Sequence, residues 1–159
     1  MELEDLQQYV RRPNLRIYGV PVVIDETSDM VETKVKTILN ELLDERITID
    51  RAHRIGRVKE DDEGNKSQPI IVRFPTFRER TVAYRARKTL KQTHKYGVSL
   101  DLTKSRLDLL NSARNMVQEV EGIKFAYSDI NCHLRVLTVG GKHLMFKSIC
   151  DLQDIIAKF

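Results

Sequence analysis

What most constrains this chain is a hydrophobic period that switches between two and about 3.6 residues along 14–102. "NLRIYGV" (14–20) alternates, with Leu15 and Ile17 on one side and Arg16 and Tyr18 on the other, and predicts a strand. "DETSDMVETKVKTILNELLDE" (25–45) repeats Val31, Val35, Ile38, Leu39, Leu42 and Leu43 at helical spacing. "ITIDRAHRI" (47–55) and "IIVRF" (70–74) predict two more strands, separated by the polar and mobile loop "GRVKEDDEGNKSQP" (56–69). A capping box from Thr76 to Glu79 opens a helix through 96, and "GVSLDL" (97–102) reads as a fourth strand. Strand–helix–strand–strand–helix–strand is the ferredoxin-like split βαβ order of an α+β fold. Four antiparallel strands then carry two helices on one face, and the other face is open.

A second unit begins at the N-cap candidate Thr103. It reads as a helix stopped by Gly122, three short strands ("IKFAYS", "CHLRVLTV", "KHLMF") and a closing helix capped by Ser148. "VGGK" predicts a hairpin turn in which Gly140 and Gly141 both take φ > 0. A small C-terminal α/β domain of this size buries little core of its own. Ahead of both units, Leu3, Leu6 and Val10 make one heptad of a coiled-coil seam or an amphipathic turn, closed by Pro13. The expected division is a linker or coiled-coil end over 1–12, a domain over 13–102 and a domain over 103–159.

Several classes drop out on composition. No apolar run approaches the roughly 20 residues of a membrane helix. "MELEDLQQYV" has no secretory h-region. Cys132 and Cys150 are too few for a disulfide scaffold, which favours a reducing intracellular compartment. Catalysis finds no support either. His53, His94, His133 and His143 share no metal-ligand spacing, "VGGK" sits in a hairpin, and no nucleophile elbow or zinc-protease motif occurs. No enzyme and no cofactor are expected.

Charge is unevenly spread. Arg73–Lys95 holds eight cations against Glu79, a net +7 that leaves −3 for the rest of a chain of net charge +4. A basic band on a nearly neutral body is the footprint of a polyanion binder, and a solvated helix face is the plain alternative. In "RRPNLRIYGVP" (11–21), Arg11, Arg12 and Arg16 surround the first strand, whose open side also carries Tyr18. RNA-recognition motifs use this topology and stack bases on aromatic residues of strands one and three. Here the exposed strand-three positions are Pro69, Ile71 and Arg73, so both stacking aromatics are missing. Such a surface grips phosphates with little sequence preference. Arg51 and Arg54 lie on opposite faces, one to pair with a carboxylate and one to face ligand; Arg54, with Arg57, is the choice for ligand. Arg87 and Lys88 bind ligand or complement a helix dipole. Tyr127 is a core aromatic or a base-stacking residue, and Arg135 stands similarly.

"YVRRPNLRIYGVP", "AHRIGR", "PIIVRF", "YRARK" and "GKHLMFKSICDLQDIIAKF" together resemble the first open-reading-frame protein of LINE retrotransposons, over about residues 6–157. That resemblance implies a coiled coil that makes a homotrimer, an RNA-recognition-motif domain and a small C-terminal domain, with lobes closing on single-stranded RNA. It implies a nucleic acid chaperone that coats its own transcript as a ribonucleoprotein during target-primed reverse transcription. Single-stranded DNA is a second expected ligand, and the expected location is cytoplasmic ribonucleoprotein particles with nuclear entry. Matched residue by residue, RNA contacts fall on Arg12, Asn14, Arg16, Arg54, Arg57, Arg73 and Arg87, then on Tyr127 and on Arg106 or Arg114. The chain departs from the family in two places. Its coiled coil is reduced to one heptad, so it is expected to be monomeric alone, and "EDDEG" stands where mammalian members carry arginines. The competing reading is a domesticated protein–protein adaptor that uses the open sheet or the short heptad.

Overall fold

The computed structural model describes residues 2–43 and 46–159; residue 1 and the last two residues of the expected 25–45 helix lie outside them. Along the chain run α1 (Leu3–Val10), β1 (Asn14–Tyr18), α2 (Ser28–Leu42), β2 (Arg51–Arg54), β3 (Lys59–Glu60), β4 (Lys66–Ser67) and β5 (Ile70–Arg73). Then follow α3 (Phe77–Arg85), α4 (Arg87–His94), β6 (Gly97–Leu100), α5 (Lys104–Val117), β7 (Ile123–Ser128), β8 (Leu134–Thr138), β9 (His143–Met145) and α6 (Ile149–Ile156). The class is α+β with antiparallel sheets. Two units divide the chain: Arg12–Asp101, and the residues through Arg11 together with Leu102–Phe159.

In the first unit the sheet order is β2-β5-β1-β6, every pair antiparallel. Leu15, Ile17, Ala52, Ile70 and Val72 are buried on one face, as the side-chain period of two requires. Val31, Val35, Ile38 and Leu39 of α2, with Ala83 and Leu90 of α3 and α4, complete this core. Each large aliphatic side chain buried there contributes about 1.5–3 kcal/mol. Thr27 caps α2 by accepting from the Met30 N–H at 3.2 Å.

Three local expectations change. The stretch 56–69 is a structured ribbon, β3 against β4. Its turn is tied by Asp61, whose Oδ1 accepts from the N–H groups of Glu63 (2.9 Å) and Asn65 (2.8 Å). Those hydrogen bonds, the Asn65 N–H first, hold the Asp61 carboxyl below its ordinary value. The 76–96 helix is two helices broken at Ala86. There the Ala86 N–H closes a tight turn onto Ala83 O at 3.2 Å, while the Arg87 guanidinium donates to the Tyr84 carbonyl. At its start Thr76 accepts from the Glu79 N–H, but the Glu79 carboxylate turns to Thr48 instead of closing a full box.

The second unit pairs β7, β8 and β9 in an antiparallel sheet, with α5 packed on β7. Thr103 and Ser148 cap α5 and α6 by accepting from the N–H groups of Arg106 and Asp151. α1 belongs to this unit. Its Glu4 accepts from the Thr103 hydroxyl at 2.7 Å, and buried Gln8 accepts from the Thr103 N–H at 2.8 Å. Leu3, Leu6 and Val10 face outward. α5 ends at Val117, so Gly122 does not stop it; a Cβ at Gly122 would run into the Phe159 ring, which is what glycine serves there. In the β8–β9 hairpin only Gly141 takes a positive φ, at 88°. Among the described residues no helix is long and apolar enough to cross a membrane.

Candidate nucleic-acid interface

In an antiparallel sheet, directly opposed residues share a face, so the registers assign the polar side of the first sheet. Arg51 lies opposite Arg73, and Arg73 opposite Asn14. One pair along, His53, Ile71, Arg16 and Ser99 form the next row, and Tyr18 lies opposite Gly97 beyond it. Arg51, His53 and Arg73 are exposed; Asn14, Arg16 and Tyr18 are half-buried. Arg51 and Arg73 are like charges set directly across a strand pair, which is destabilising unless an anion is near. Among the described residues the carboxylate that meets them is Asp50, 3.6 Å from Arg73 Nε and itself exposed.

Buried Asp101 organises the inner edge of this surface. It accepts from Arg16 Nε at 2.8 Å and from Asn14 Nδ2 at 3.0 Å. Partial burial of Arg16 works to lower its pKa, but the hydrogen bond and charge of Asp101 outweigh it and the net shift is upward. Arg16 is thus a fixed cation with one edge anchored. Tyr18 has its ring 6.0 Å from Lys59 Nζ.

Arg54 corrects the sequence reading. It lies opposite Ile70 and therefore on the apolar face. All five of its N–H donors are used inside the unit: two on Glu26 (2.7 and 3.0 Å), the others on the carbonyls of Val20, Gln68 and Pro21. It is a structural clasp and has no donor to spare for a phosphate. Arg51 and His53, not singled out for ligand, hold the open positions of that strand. The isoleucines at 47, 49 and 55 share their parity and argue for an inward face, whereas the strand proper starts only at Arg51, with Ala52 inside.

The remaining cations of this unit divide. Arg57 and Lys88 are exposed on the surface. The Arg12 guanidinium stacks 4.2 Å over Phe77, which Arg80 also approaches, at 4.3 Å. Arg80, counted in the basic band, is fully buried and donates from Nε to Arg12 O at 2.8 Å, so it positions backbone. Arg87 stacks 4.2 Å over Tyr84.

In the second unit Arg106 is consumed. It donates to Glu4, to Asp5 and to the Cys132 carbonyl, each at 2.8 Å, and clamps α1 to α5. Arg114 is exposed, with a 3.5 Å contact from Nε to Ala126 O. Arg11 lines a cleft of about 520 Å³ with Lys104 and Asp108. Arg135 donates to Asp129 at 2.7 Å; burial works to raise the Asp129 pKa, but Arg135 and the N–H groups of His133 and Asn131 bring it net downward. Tyr127 sits opposite Arg135 on the outer face of the sheet, its hydroxyl 2.6 Å from His143 Nδ1, and is not a core aromatic. Comparison of the sequence with protein-family models and with curated proteins finds no match.

Proposed function

We propose that this chain is a non-enzymatic single-stranded nucleic-acid binder and chaperone of the kind that packages retrotransposon RNA into a ribonucleoprotein. In this reading the first unit is an RNA-recognition-motif domain whose base-stacking positions have been given over to phosphate contacts. One observation supports it: Arg51 and Arg73 stand directly opposed and exposed on the polar face of the sheet, only Arg73 meeting a carboxylate there among the described residues, the equally exposed Asp50 at 3.6 Å, while Arg16, paired with Asp101, is held in the next row. A polyanion relieves that repulsion. Arg57 and Lys88 are further exposed cations of the same unit, and Arg12 and Arg87 hold guanidinium planes stacked on Phe77 and Tyr84. Contacts to phosphate are interchangeable along a strand, so strands can slide and exchange, which is the physical content of chaperone activity. Single-stranded DNA binds by the same contacts.

The test is the salt dependence of binding to a generic single-stranded RNA, beside duplex of equal length. Engagement of roughly six phosphates gives a log–log slope of about −4. An affinity that is flat between low and moderate salt overturns the proposal and favours a protein partner for this face.

A further inference from the structure

The chain leaving β1 runs along the β3–β4 ribbon before it enters α2. Val22 donates its N–H to the Lys66 carbonyl at 3.0 Å and Pro21 bridges Ser67, so 21–22 lies against β4 on the side away from β3. A turn then closes from the Glu26 N–H to the Val23 carbonyl at 3.2 Å, with Asp25 at φ 58°. Turn tips ordinarily carry glycine, proline or a short polar side chain. This one carries Ile24, 90% exposed. With Val22, Val23, Val58, Glu60 and Lys66 it lines an open groove of about 370 Å³. Val58 is itself 51% exposed, so the fold gains little from either side chain. Contiguous apolar surface rimmed by charge is the mark of an interaction site.

The rim is acidic. Lys59–Lys66 holds four carboxylates against two lysines, a net −2 on a chain of net charge +4. Asp61 is spent on its own turn, Glu60 lies opposite Lys66, and Lys59 reaches toward Tyr18. Among the described residues no cation pairs with Asp25, Asp62 or Glu63, all of them exposed. We propose that this groove docks a protein segment in which an aliphatic or aromatic side chain stands beside lysines or arginines. The apolar side chain fills the groove against Ile24 and Val58, and the cations meet the three unpaired carboxylates. Negative charge at the rim repels nucleic acid and anionic lipid, which selects a protein as occupant. The Asp61 turn holds one wall and the Val22–Lys66 hydrogen bond the other, so docking costs little ordering. The inference goes beyond the nucleic-acid reading and does not depend on it.

The probe is a random peptide library displayed on phage and selected on the full chain. Enriched peptides place an aliphatic or aromatic residue next to Lys or Arg, and synthetic copies bind the chain in fluorescence anisotropy. Ile24→Ser and, separately, Val58→Ser weaken that binding about tenfold. Asp62→Lys combined with Glu63→Lys weakens it at low salt and removes most of its salt dependence. The altered side chains are exposed, and circular dichroism checks the fold. No enrichment, enrichment of acidic peptides, or peptides that bind both serine variants as tightly as wild type overturns the proposal. A fall in single-stranded RNA affinity in those two variants gives the groove to nucleic acid and overturns it too. So does a concentration-dependent oligomer that both variants dissolve, which gives the groove to a second copy of the chain. A wild type that binds the peptides in this pattern but binds no RNA supports the docking site and overturns the nucleic-acid reading alone.

Discussion

Glu26→Ala lowers the stability of the first unit by about 3–5 kcal/mol, because it leaves the Arg54 guanidinium charged, buried and without its counter-charge. The two side chains are only 8% and 10% exposed, so water does not replace the lost carboxylate. Arg54 is also the shared donor for three backbone carbonyls, where the chain after β1 comes against the entry to β5. Shifting the arginine toward water would strand those carbonyls, at roughly 1–3 kcal/mol for each that stays buried. For a unit of this size the loss amounts to at least roughly 12 °C in melting temperature. Thermal denaturation of the full chain followed by circular dichroism reads it, with Lys36→Ala on the exposed side of α2 as a control within about 0.5 kcal/mol. A Glu26→Ala melt within about 4 °C of wild type would show that Arg54 is not the clasp described.

The same pair sets an acid dependence. Arg54, through its hydrogen bonds and then its charge, holds the Glu26 carboxyl below its ordinary value, with the Val23 N–H assisting. A depressed carboxyl favours the folded state fully above its unfolded pKa of about 4.3, and that contribution is lost as pH falls through the lower folded value. Wild-type stability therefore falls on acidification below about pH 4.3. Glu26→Gln, with no charge to lose, shows a shallower fall across the same window in pH-dependent melts.

Where the hydrophobic period ran unbroken, the sequence read well. The strands β1, β2, β5 to β9 and the helices α2, α5 and α6 lie inside their expected segments, because apolar alternation and N-caps such as Thr103 and Ser148 are local signals. Arg54 was misassigned for a nonlocal reason. Its face depends on where β2 joins β5, and a one-residue slip exchanges the two faces of a strand. Arg106 was equally illegible, since its partners Glu4 and Asp5 stand about a hundred positions away along the chain. The ribbon at 59–67 hid behind a polar composition, although Asp61 and Gly64 are turn residues by type.

Arg51→Gln, Arg57→Gln, Arg73→Gln and Lys88→Gln combined weaken binding to single-stranded RNA roughly 600-fold at about 0.1 M salt, and flatten the log–log slope by about 3. Each phosphate contact to a single strand contributes about 0.7 to that slope, so four contacts account for nearly three decades at this salt. Glutamine keeps a long polar stem, and none of the four side chains is buried, so the fold tolerates the exchange. Removing the opposed Arg51–Arg73 pair relieves repulsion, and the melting temperature stays level or rises. Loss of binding with gain of stability separates a ligand surface from a structural one. Arg16→Ala cannot make that separation, because it also leaves Asp101 buried without its cation. Arg54→Gln supplies the inverse pattern, a destabilised fold whose remaining folded fraction binds with an unchanged slope. If the fourfold variant instead keeps its slope while its melt drops, these cations serve the fold, and the polar face of the first sheet is not where the strand lies.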